Sequence, residues 1–430
     1  MHVIDTVRNW VYAASVKGRF QIWHRWSGVV LQAVLFLTPW IVVAGHPAFQ
    51  IDIEGRRLYA LGGVFTPTDT ILLVLMGLFT AFGLFLFTAI YGRLWCGYAC
   101  PQTVFLEEWV RPIELWLEGE RGVRMARDKG PWTFDKTWRK LAKWTAFLAI
   151  SIVVSMSFVS WFAGARALWT GAAEGWYYWV TAFFTALMFW DLAWFREQFC
   201  NFLCPYARFQ GVLCDDASLV VSYDAARGEP RGTEGACIDC KKCVAVCPQG
   251  IDIRTGFQLE CISCARCVDA CQIVMDKKGQ PNLITYNTLS GEQRIVRPRT
   301  VAYTTLLTVI AVGFFTVLFT RPTVDGLVSR TPGSTYTVDA DGYIRNTYLL
   351  RLTSHQNEAR TWAVKIDGLP ADAQVIVPPI TLDGAATTTV PLVVRVPAAE
   401  LTAQSVPMQV VVDSGNGTLS MKATFLSAGG

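Results

Sequence analysis

The stretch Cys237-Ile-Asp-Cys240-Lys-Lys-Cys243-Val-Ala-Val-Cys247-Pro248 decides the character of the chain, and Cys261-Ile-Ser-Cys264-Ala-Arg-Cys267-Val-Asp-Ala-Cys271 follows it after thirteen residues. Both stretches have the spacing Cys-x2-Cys-x2-Cys-x3-Cys. With this spacing, three thiolates of one loop bind one iron-sulfur cubane and the fourth cysteine reaches the other cluster. The arrays therefore predict two [4Fe-4S] clusters, with a pair of zinc sites as the alternative. The predicted ligand sets are Cys237, Cys240, Cys243 and Cys271 for one cluster, and Cys261, Cys264, Cys267 and Cys247 for the other.

All 13 cysteines lie between Cys96 and Cys271. Two tight arrays are typical of metal ligands and not of a secreted disulfide framework. The loops that carry them are therefore predicted to lie in a reducing compartment. The basic N-terminal segment lacks a short apolar core with a small-residue cleavage site, so it is predicted to be retained.

The composition indicates a membrane protein. Of the 430 residues, 52% are hydrophobic, and the net charge of +4 is spread along the chain, which disfavours nucleic-acid binding. A helix needs about 20 largely apolar residues to cross the hydrocarbon core of a bilayer. Five predicted spans meet this requirement: Gly28 to Gly45, Thr70 to Tyr91, Leu141 to Ala163, Trp176 to Phe195 and Val301 to Thr320.

Lys and Arg are distributed unevenly over the segments between these spans. There are 4 before the first span, 9 between the second and third and 13 between the fourth and fifth, against 2 and 1 in the other loops. Positively charged loops favour the cytoplasmic side of a membrane. The chain is therefore predicted to lie in a bacterial inner membrane, with its N-terminus and cluster cysteines in the cytoplasm and its C-terminus in the periplasm.

The last hundred or so residues have a different pattern, with short alternating apolar runs separated by turn residues. This pattern predicts a cysteine-free, immunoglobulin-like β-sandwich. The predicted fold class is a five-span α-helical membrane protein with a cytoplasmic α+β insert like a bacterial ferredoxin and a periplasmic all-β sandwich. The predicted domains are residues 1–27 (cytoplasmic segment), 28–205 (four-helix membrane domain), 206–299 (ferredoxin-like), 300–321 (fifth helix) and 322–430 (immunoglobulin-like).

A second cysteine pattern occurs twice, as Cys96-Gly-Tyr-Ala-Cys100-Pro101 after span two and Cys200-Asn-Phe-Leu-Cys204-Pro205 after span four. Twin copies at equivalent depth suggest a duplicated helical hairpin, with the two elements facing each other at the cytoplasmic membrane surface. Four soft thiolates could bind Cu(I) or act as reversible dithiol-disulfide pairs. The alternative is that they are small buried residues that end a helix before proline.

Two further residues have less certain roles. Asp191 is an ionisable residue in an apolar run, which makes it a functional-site candidate, although its closeness to the interface also fits simple snorkelling. Cys214 lies between the membrane and the arrays and is interpreted as a structural thiol.

The runs Arg196-Glu-Gln-Phe-Cys200-Asn-Phe-Leu-Cys204-Pro-Tyr-Ala-Arg-Phe-Gln210 and Cys96-Gly-Tyr-Ala-Cys-Pro-Gln102 resemble the cytochrome c oxidase accessory proteins called CcoG, FixG or RdxA. The likeness extends to Gly342-Tyr-Ile-Arg-Asn346, whereas Thr68 stands where this family would have glutamine. The resemblance implies a cupric reductase, an oxidoreductase that converts Cu(II) to Cu(I) for assembly of cbb3-type cytochrome c oxidase. It also implies a candidate copper and catalytic site formed by Cys96, Cys100, Cys200 and Cys204.

Two other functions remain open. One is a quinol-linked electron relay to a periplasmic reductase, with quinone as a further cofactor, since the sequence has no nucleotide-binding or haem-attachment motif. The other is an assembly scaffold whose clusters hold the insert together. The expected partners are membrane lipid, cbb3 oxidase subunits or copper chaperones, an electron donor and a second copy of the chain.

Overall fold

Long apolar runs form the longest helices in this computed structural model, which describes residues 10–43, 45–288, 290–291, 294–322, 324–331, 335–355, 360–382, 386–401, 403–413 and 418–427, with the backbone alone at 68, 208 and 211. The chain divides into two compact units. Unit 1 consists of Met1–Ile41 and Leu75–Val312, and unit 2 of Val42–Val74 and Gly313–Gly430. Residues 42–74, predicted as part of the membrane domain, thus group with the C-terminal residues. The predicted domain boundaries stay predictions.

The α-helices occupy most of unit 1. Three π-helical turns, Leu106–Val110, Asp191–Phe195 and Phe199–Leu203, lie among them. The helices are α1 Arg19–Leu37, α2 Thr70–Tyr91, α3 Leu94–Tyr98, α4 Pro101–Phe105, α5 Arg111–Glu118, α6 Arg121–Lys129, α7 Phe134–Ala163, α8 Ala165–Thr170, α9 Gly175–Trp190, α10 Pro205–Leu213, α11 Ala225–Gly228, α12 Lys242–Ala245, α13 Arg266–Asp276 and α14 Pro298–Phe319.

Among the described residues, 3 helices are long and apolar enough to cross a membrane, namely α2, α7 and α14. Only 6% of the apolar window of α2 and of α14 is buried inside the protein, against 44% for α7. Apolar side chains that face outward all round a helix are suited to contact with lipid. The first and fourth predicted spans correspond to α1 and α9, which do not meet the criterion, so the number of five spans stays a prediction.

The first predicted span differs from helix α1 in its position. Helix α1 begins at Arg19, inside the segment predicted to precede the span, and it ends at Leu37. A 3-10 turn, Thr38–Trp40, follows it and contains Pro39. Proline lacks a backbone N–H and its ring obstructs the preceding turn, so the α-helix cannot continue to Gly45 as predicted.

The strands divide between the two units. The pair β6 and β7 in unit 1 is antiparallel and brackets the cysteine arrays, as expected for a ferredoxin-like insert. The strands are β1 Val42–Val43, β2 His46–Pro47, β3 Phe49–Asp52, β4 Arg57–Ala60, β5 Gly63–Phe65, β6 Leu219–Tyr223, β7 Ile284–Thr288, β8 Val324–Arg330, β9 Thr337–Val338, β10 Tyr343–Ser354, β11 Arg360–Asp367, β12 Gln374–Ile376, β13 Ile380–Leu382, β14 Thr387–Pro397, β15 Ser405–Asp413 and β16 Thr418–Leu426.

Two sheets form the C-terminal part of unit 2. One has the order β12-β14-β10-β8, with β9 paired to β10, and the other has the order β13-β11-β15-β16. Alternate residues of the strands point inward, and Leu350, Leu392, Val410 and Phe425 are all 0% exposed. Since this part of the chain has no cysteine, burial of apolar side chains takes the place of a disulfide, as the sequence predicts.

An ion pair ties residues 42–74 to the C-terminal residues within unit 2. Asp69 closes a capping box with Thr66 and accepts a 2.6 Å hydrogen bond from Nη2 of Arg321. His355 lies beside both groups, and its Nε2 is 2.8 Å from Asp325 Oδ2. Asp69 is only 5% exposed, so removal of one partner would leave a buried charge without compensation.

Candidate iron-sulfur and cysteine site

The two cysteine arrays follow the same backbone path. In the first array Asp239 and Lys241 have φ values of 54°, and in the second array Ser263 and Ala265 have φ values of 54° and 58°. These residues stand immediately before and after the second cysteine of each array, which is Cys240 or Cys264. Left-handed backbone is uncommon for residues other than glycine and concentrates at functional sites. Both loops therefore have the same bent backbone, which is suited to surrounding a bound group.

The second predicted ligand set surrounds a small cavity. Cys247, Cys261, Cys264 and Cys267 all line it, together with Cys243 from the other set. Cys247 belongs to the first array by sequence, yet it lies with the three cysteines of the second. The donor set fits a cubane whose fourth ligand comes from the other array, as the spacing predicts.

The pKa values of the thiols show which cysteines are neighbours in the first set. Burial raises the pKa of Cys271, and the charges of Cys237 and Cys240 raise it further. Burial likewise raises the pKa of Cys243 to about 11, with a further contribution from Cys271. Backbone N–H groups of Leu283 and Ile284 point at the Cys271 sulfur and counteract the increase. Such N–H groups would stabilise the negative charge of a cluster.

Among the described residues, no three His, Cys, Asp or Glu side chains are grouped so as to hold a single metal ion. In a cubane each thiolate binds a different iron, so its four sulfurs stand further apart than around one ion. The arrays are thus compatible with cubanes. The four cysteines of the Cys-x3-Cys-Pro elements do not form a ready-made single-ion site.

The two Cys-x3-Cys-Pro elements have matching structures and come together. Cys100 and Cys204 are the extended residues directly before α4 and α10, and each of these helices has proline in its first position. Burial raises the pKa of the Cys200 thiol, and the neighbouring thiols of Cys100, Cys96 and Cys204 raise it further. The structure therefore brings all four predicted residues into one group, which is called the cysteine quartet below.

A buried arginine and glutamine beside the quartet were not singled out from the sequence. Gln210 Oε1 accepts hydrogen bonds from the thiol of Cys96, at 3.1 Å, and from Nε of Arg93, at 3.0 Å. Burial raises the pKa of Cys96 to about 12, and the Arg93 cation opposes this increase. Burial also raises the pKa of Cys261, a predicted cluster ligand, to about 11, and the same cation opposes that increase. The charge of Arg93 therefore acts on both the quartet and the second array, and in both it favours thiolate.

The backbone of the first element lies directly against the second array. A Cβ on Gly97 would be 2.7 Å from the carbonyl oxygen of Ile262 and 3.0 Å from the backbone nitrogen of Cys264. Cys96, Ile262 and Cys264 form a buried cluster, with Tyr206 packed against it. At Gly97 the quartet and the second array are thus in direct backbone contact, with no side chain between them.

A network of buried charges supports the segment that leads into the second element. Arg196 is 0% exposed, has a φ of 52° and pairs with Glu114 through two hydrogen bonds, of 2.8 and 3.2 Å. Arg124 donates to the same carboxylate at 2.6 Å, and the ring of Trp10 lies 4.9 Å from the Arg196 guanidinium. In the sequence, Arg196 stands out only as part of the run that resembles a known family. Its burial has no local sequence signal.

The two residues with uncertain roles occupy different surroundings. Cys214 follows the last residue of α10, and burial raises the pKa of its thiol, in keeping with a structural role. Asp191 starts the π-helical turn after α9, is buried, and has an Oδ1 atom without a hydrogen-bond partner in the described part of the chain. Snorkelling to water does not describe this position.

Comparisons with known proteins agree with the geometry. Residues 195–289, which contain both arrays, match the family described as "4Fe-4S dicluster domain". Residues 73–123, which contain Cys96 and Cys100, match "4Fe-4S binding domain". Residues 314–428 match the family described as "IG-like fold at C-terminal of FixG".

Relatives match along most of the chain. RdxA of Cereibacter sphaeroides is 36% identical over 83% of this chain and 82% of its own length. RdxB of the same organism is 34% identical over 96% and 90%, and the nitrogen fixation protein FixG of Rhizobium meliloti is 33% identical over 88% and 83%.

This chain belongs to the FixG/RdxA family. Family membership confirms the resemblance seen in the sequence, and the matched domains confirm an iron-sulfur protein with an immunoglobulin-like C-terminal domain. Together with the three apolar helices, they indicate a membrane protein of electron transport. A crystal structure of a FixG-related protein from Vibrio parahaemolyticus, 16% identical, covers 25% of this FixG/RdxA chain and 97% of its own, with a TM-score of 0.23.

Proposed function

We propose that this FixG/RdxA protein is a cupric reductase, which reduces Cu(II) to Cu(I) at the cysteine quartet for the assembly of a cbb3-type cytochrome c oxidase. The observation that carries the proposal is the direct packing of Gly97 on the Cys264 backbone, because it places the quartet against a predicted cluster loop. Clusters, when bound by the two arrays, supply single electrons, and each Cu(II) needs one. Soft thiolates then favour the Cu(I) that is formed.

The residues around the quartet suit this task. Burial raises the pKa values of the Cys96, Cys100 and Cys200 thiols, so these three hold protons until a metal displaces them. Arg93 is 4% exposed and supplies a positive charge that offsets thiolate charge. Since the described quartet is not arranged around one ion, we propose that copper draws the sulfurs together when it binds.

We further propose that the arrays and the quartet lie on the cytoplasmic side of the inner membrane and the immunoglobulin-like domain on the periplasmic side. The uneven distribution of Lys and Arg supports this orientation. The C-terminal domain would then be the part that meets oxidase subunits or copper chaperones.

The experiment is anaerobic reduction of Cu(II) by purified protein. The protein is reduced with dithionite, freed of excess reductant and mixed with Cu(II) and a Cu(I)-specific chelator. We expect Cu(I) formation to be lost in Cys96→Ala and Cys200→Ala while the visible absorbance of the clusters persists. Cys214→Ala is the matched control, because it removes a partly buried thiol outside the quartet.

Full Cu(I) formation by both quartet variants would refute the proposal. If the wild-type protein reduces no copper although its clusters accept electrons from dithionite, the assembly scaffold becomes the better hypothesis. Cluster signals in electron paramagnetic resonance, recorded on the same samples, separate these outcomes from simple loss of cofactor.

A further inference from the structure

A large, partly open cavity lies in unit 1, between helices α1, α4, α7 and α9. Its volume is about 780 Å³. Cavities of roughly 300–1,000 Å³ lined by apolar side chains with a few polar groups are the usual form of small-molecule sites. The apolar lining includes Leu31, Leu35, Phe105, Val154, Phe158 and Phe184.

The part of the cavity next to Asp191, which we name the Asp191 end, carries an unsatisfied acceptor. Asp191 lines the cavity and is 9% exposed, and its Oδ1 has no hydrogen-bond partner among the described residues. Gln102 also lines the cavity; its amide donates a 3.0 Å hydrogen bond to the carbonyl oxygen of Arg196 and is also a hydrogen-bond neighbour of the Asp191 carboxyl, where Oδ1 is left over. A buried carboxylate oxygen without a partner is costly. The cavity therefore favours a ligand with a hydroxyl or N–H group at that end.

Gln102, a hydrogen-bond neighbour of Asp191, directly follows Pro101 in the chain, so the Asp191 end of the cavity lies close to the cysteine quartet. Ala99 and Pro101, the neighbours of Cys100, line the cavity, as do Phe199 and Leu203, the neighbours of Cys200 and Cys204. A ligand whose polar group lies at Asp191 would thus sit next to the quartet, while its remainder extends among the membrane helices.

We propose that this cavity binds a quinol, with its ring at the Asp191 end, a ring hydroxyl donating to Asp191 Oδ1, and its isoprenoid tail along the apolar lining. A quinol combines the two features that the lining requires, a hydrogen-bond donor on a flat ring and a long apolar chain. A lipid acyl chain offers no donor to Asp191. Binding at this cavity goes beyond copper reduction and does not depend on it.

The charged groups nearest to Asp191 are compatible with a neutral ligand. Arg196 is directed to Glu114, to which it donates two hydrogen bonds, and Glu197 is the other charge that acts on Asp191. No cation of the described residues pairs with Asp191 within 4.0 Å. A hydroxyl donor from a ligand would therefore give Asp191 Oδ1 a hydrogen-bond partner.

The test is binding of the fluorescent quinol analogue 2-heptyl-4-hydroxyquinoline N-oxide to the purified full-length protein. Binding is measured by the quenching of the analogue's fluorescence. We expect saturable quenching with one site per chain, which decylubiquinol displaces. Asp191→Ala removes the acceptor and should weaken binding about tenfold or more, the loss of a hydrogen bond to a charged group. Ser155→Leu places a larger side chain at the cavity wall and should weaken binding without touching Asp191.

Glu174→Gln is the control, because Glu174 is an exposed carboxyl directly before α9 and should leave binding unchanged. The assignment would be overturned if Asp191→Ala and Ser155→Leu bound the analogue as tightly as the wild type does. It would also be overturned if a plain alkyl detergent displaced the analogue as effectively as decylubiquinol. A wild-type protein with intact clusters that does not quench the fluorescence would overturn the assignment as well. Dithionite-driven copper reduction, measured on the same samples, reports separately on the cupric reductase.

Discussion

The backbone of Gly97 packs on the backbone of Cys264, with no room for a side chain between them. This contact joins helix α3, which carries Cys96 of the quartet, to a loop predicted to hold a cluster. Because Gly97 lies next to Cys96, any movement at the contact changes the distance between the quartet and the second array. The Gly97 contact therefore sets the distance between the quartet and the second array.

We expect Gly97→Ala to loosen this contact. The added methyl group would meet the carbonyl oxygen of Ile262 at 2.7 Å, so backbone must shift. Overpacking of this kind costs about 1–3 kcal/mol. Thermal unfolding in detergent should show a lower Tm, and Cu(I) formation by the reduced protein should be slower.

The matched control is Gly77→Ala in helix α2, where a Cβ would meet nothing within 4 Å. It should be neutral or slightly stabilising, since alanine favours helix. A Gly97→Ala protein that matches Gly77→Ala in Tm and in rate would show that the contact is unimportant.

The crossed ligand sets predict which cysteine belongs to which cluster. Cys247→Ser should remove the cluster of the second array, although Cys247 lies in the first array, because Cys247 lines the same cavity as Cys261, Cys264 and Cys267. Cys271→Ser should remove the other cluster. Each variant should retain about half of the iron, and their remaining paramagnetic signals should differ. Identical remaining signals would argue against crossed ligation.

The buried carboxylate of Glu107 should make stability depend on pH. Burial by itself would raise its pKa from 4.5, but Arg266 and Arg111 outweigh burial and lower it to about 2. A depressed pKa contributes stability that is present above the unfolded value and is lost as the pH falls through the folded value. We expect Glu107→Gln to lower the Tm at pH 7, and the difference from wild type to shrink as the pH falls from 4.5 toward 2.

Asp135→Asn provides the comparison for Glu107. Asp135 pairs with Arg139 at the surface, where its side chain is 57% exposed, and exposed ion pairs contribute only about 0–1 kcal/mol. Its Tm should therefore stay close to that of the wild type. A difference between Glu107→Gln and wild type that does not vary with pH would contradict the assigned pKa.

The pair of Asp69 and Arg321 should hold residues 42–74 in unit 2. Asp69→Asn leaves the Arg321 cation, 15% exposed, without its carboxylate. Breaking a buried pair on one side costs about 3–5 kcal/mol. Trypsin should then cleave faster at Arg56, in the turn that precedes β4, and at Arg57, the first residue of β4. Asp367→Asn, at an exposed position of β11, should leave cleavage unchanged, and equal cleavage of the two variants would refute the role of the pair.

Local patterns in the sequence determined much of this protein. The spacing of the arrays predicts iron-sulfur ligation because a cubane takes three ligands from one short loop. The alternation after residue 321 predicts the sandwich, and long apolar runs predict α2, α7 and α14. Each of these signals lies between residues close together in the chain, so no tertiary structure is needed to see it.

The tertiary structure alone decided which of these parts meet. Gly97 on Cys264, Arg93 with Gln210, and Arg196 with Glu114 are contacts between residues far apart in sequence, and an ordinary glycine or arginine carries no sign of its partner. The unpartnered oxygen of Asp191 appears only once the helices enclose a cavity around it. Spacing fixes chemistry within a loop, whereas the relation between loops depends on how apolar surfaces and buried charges pack together.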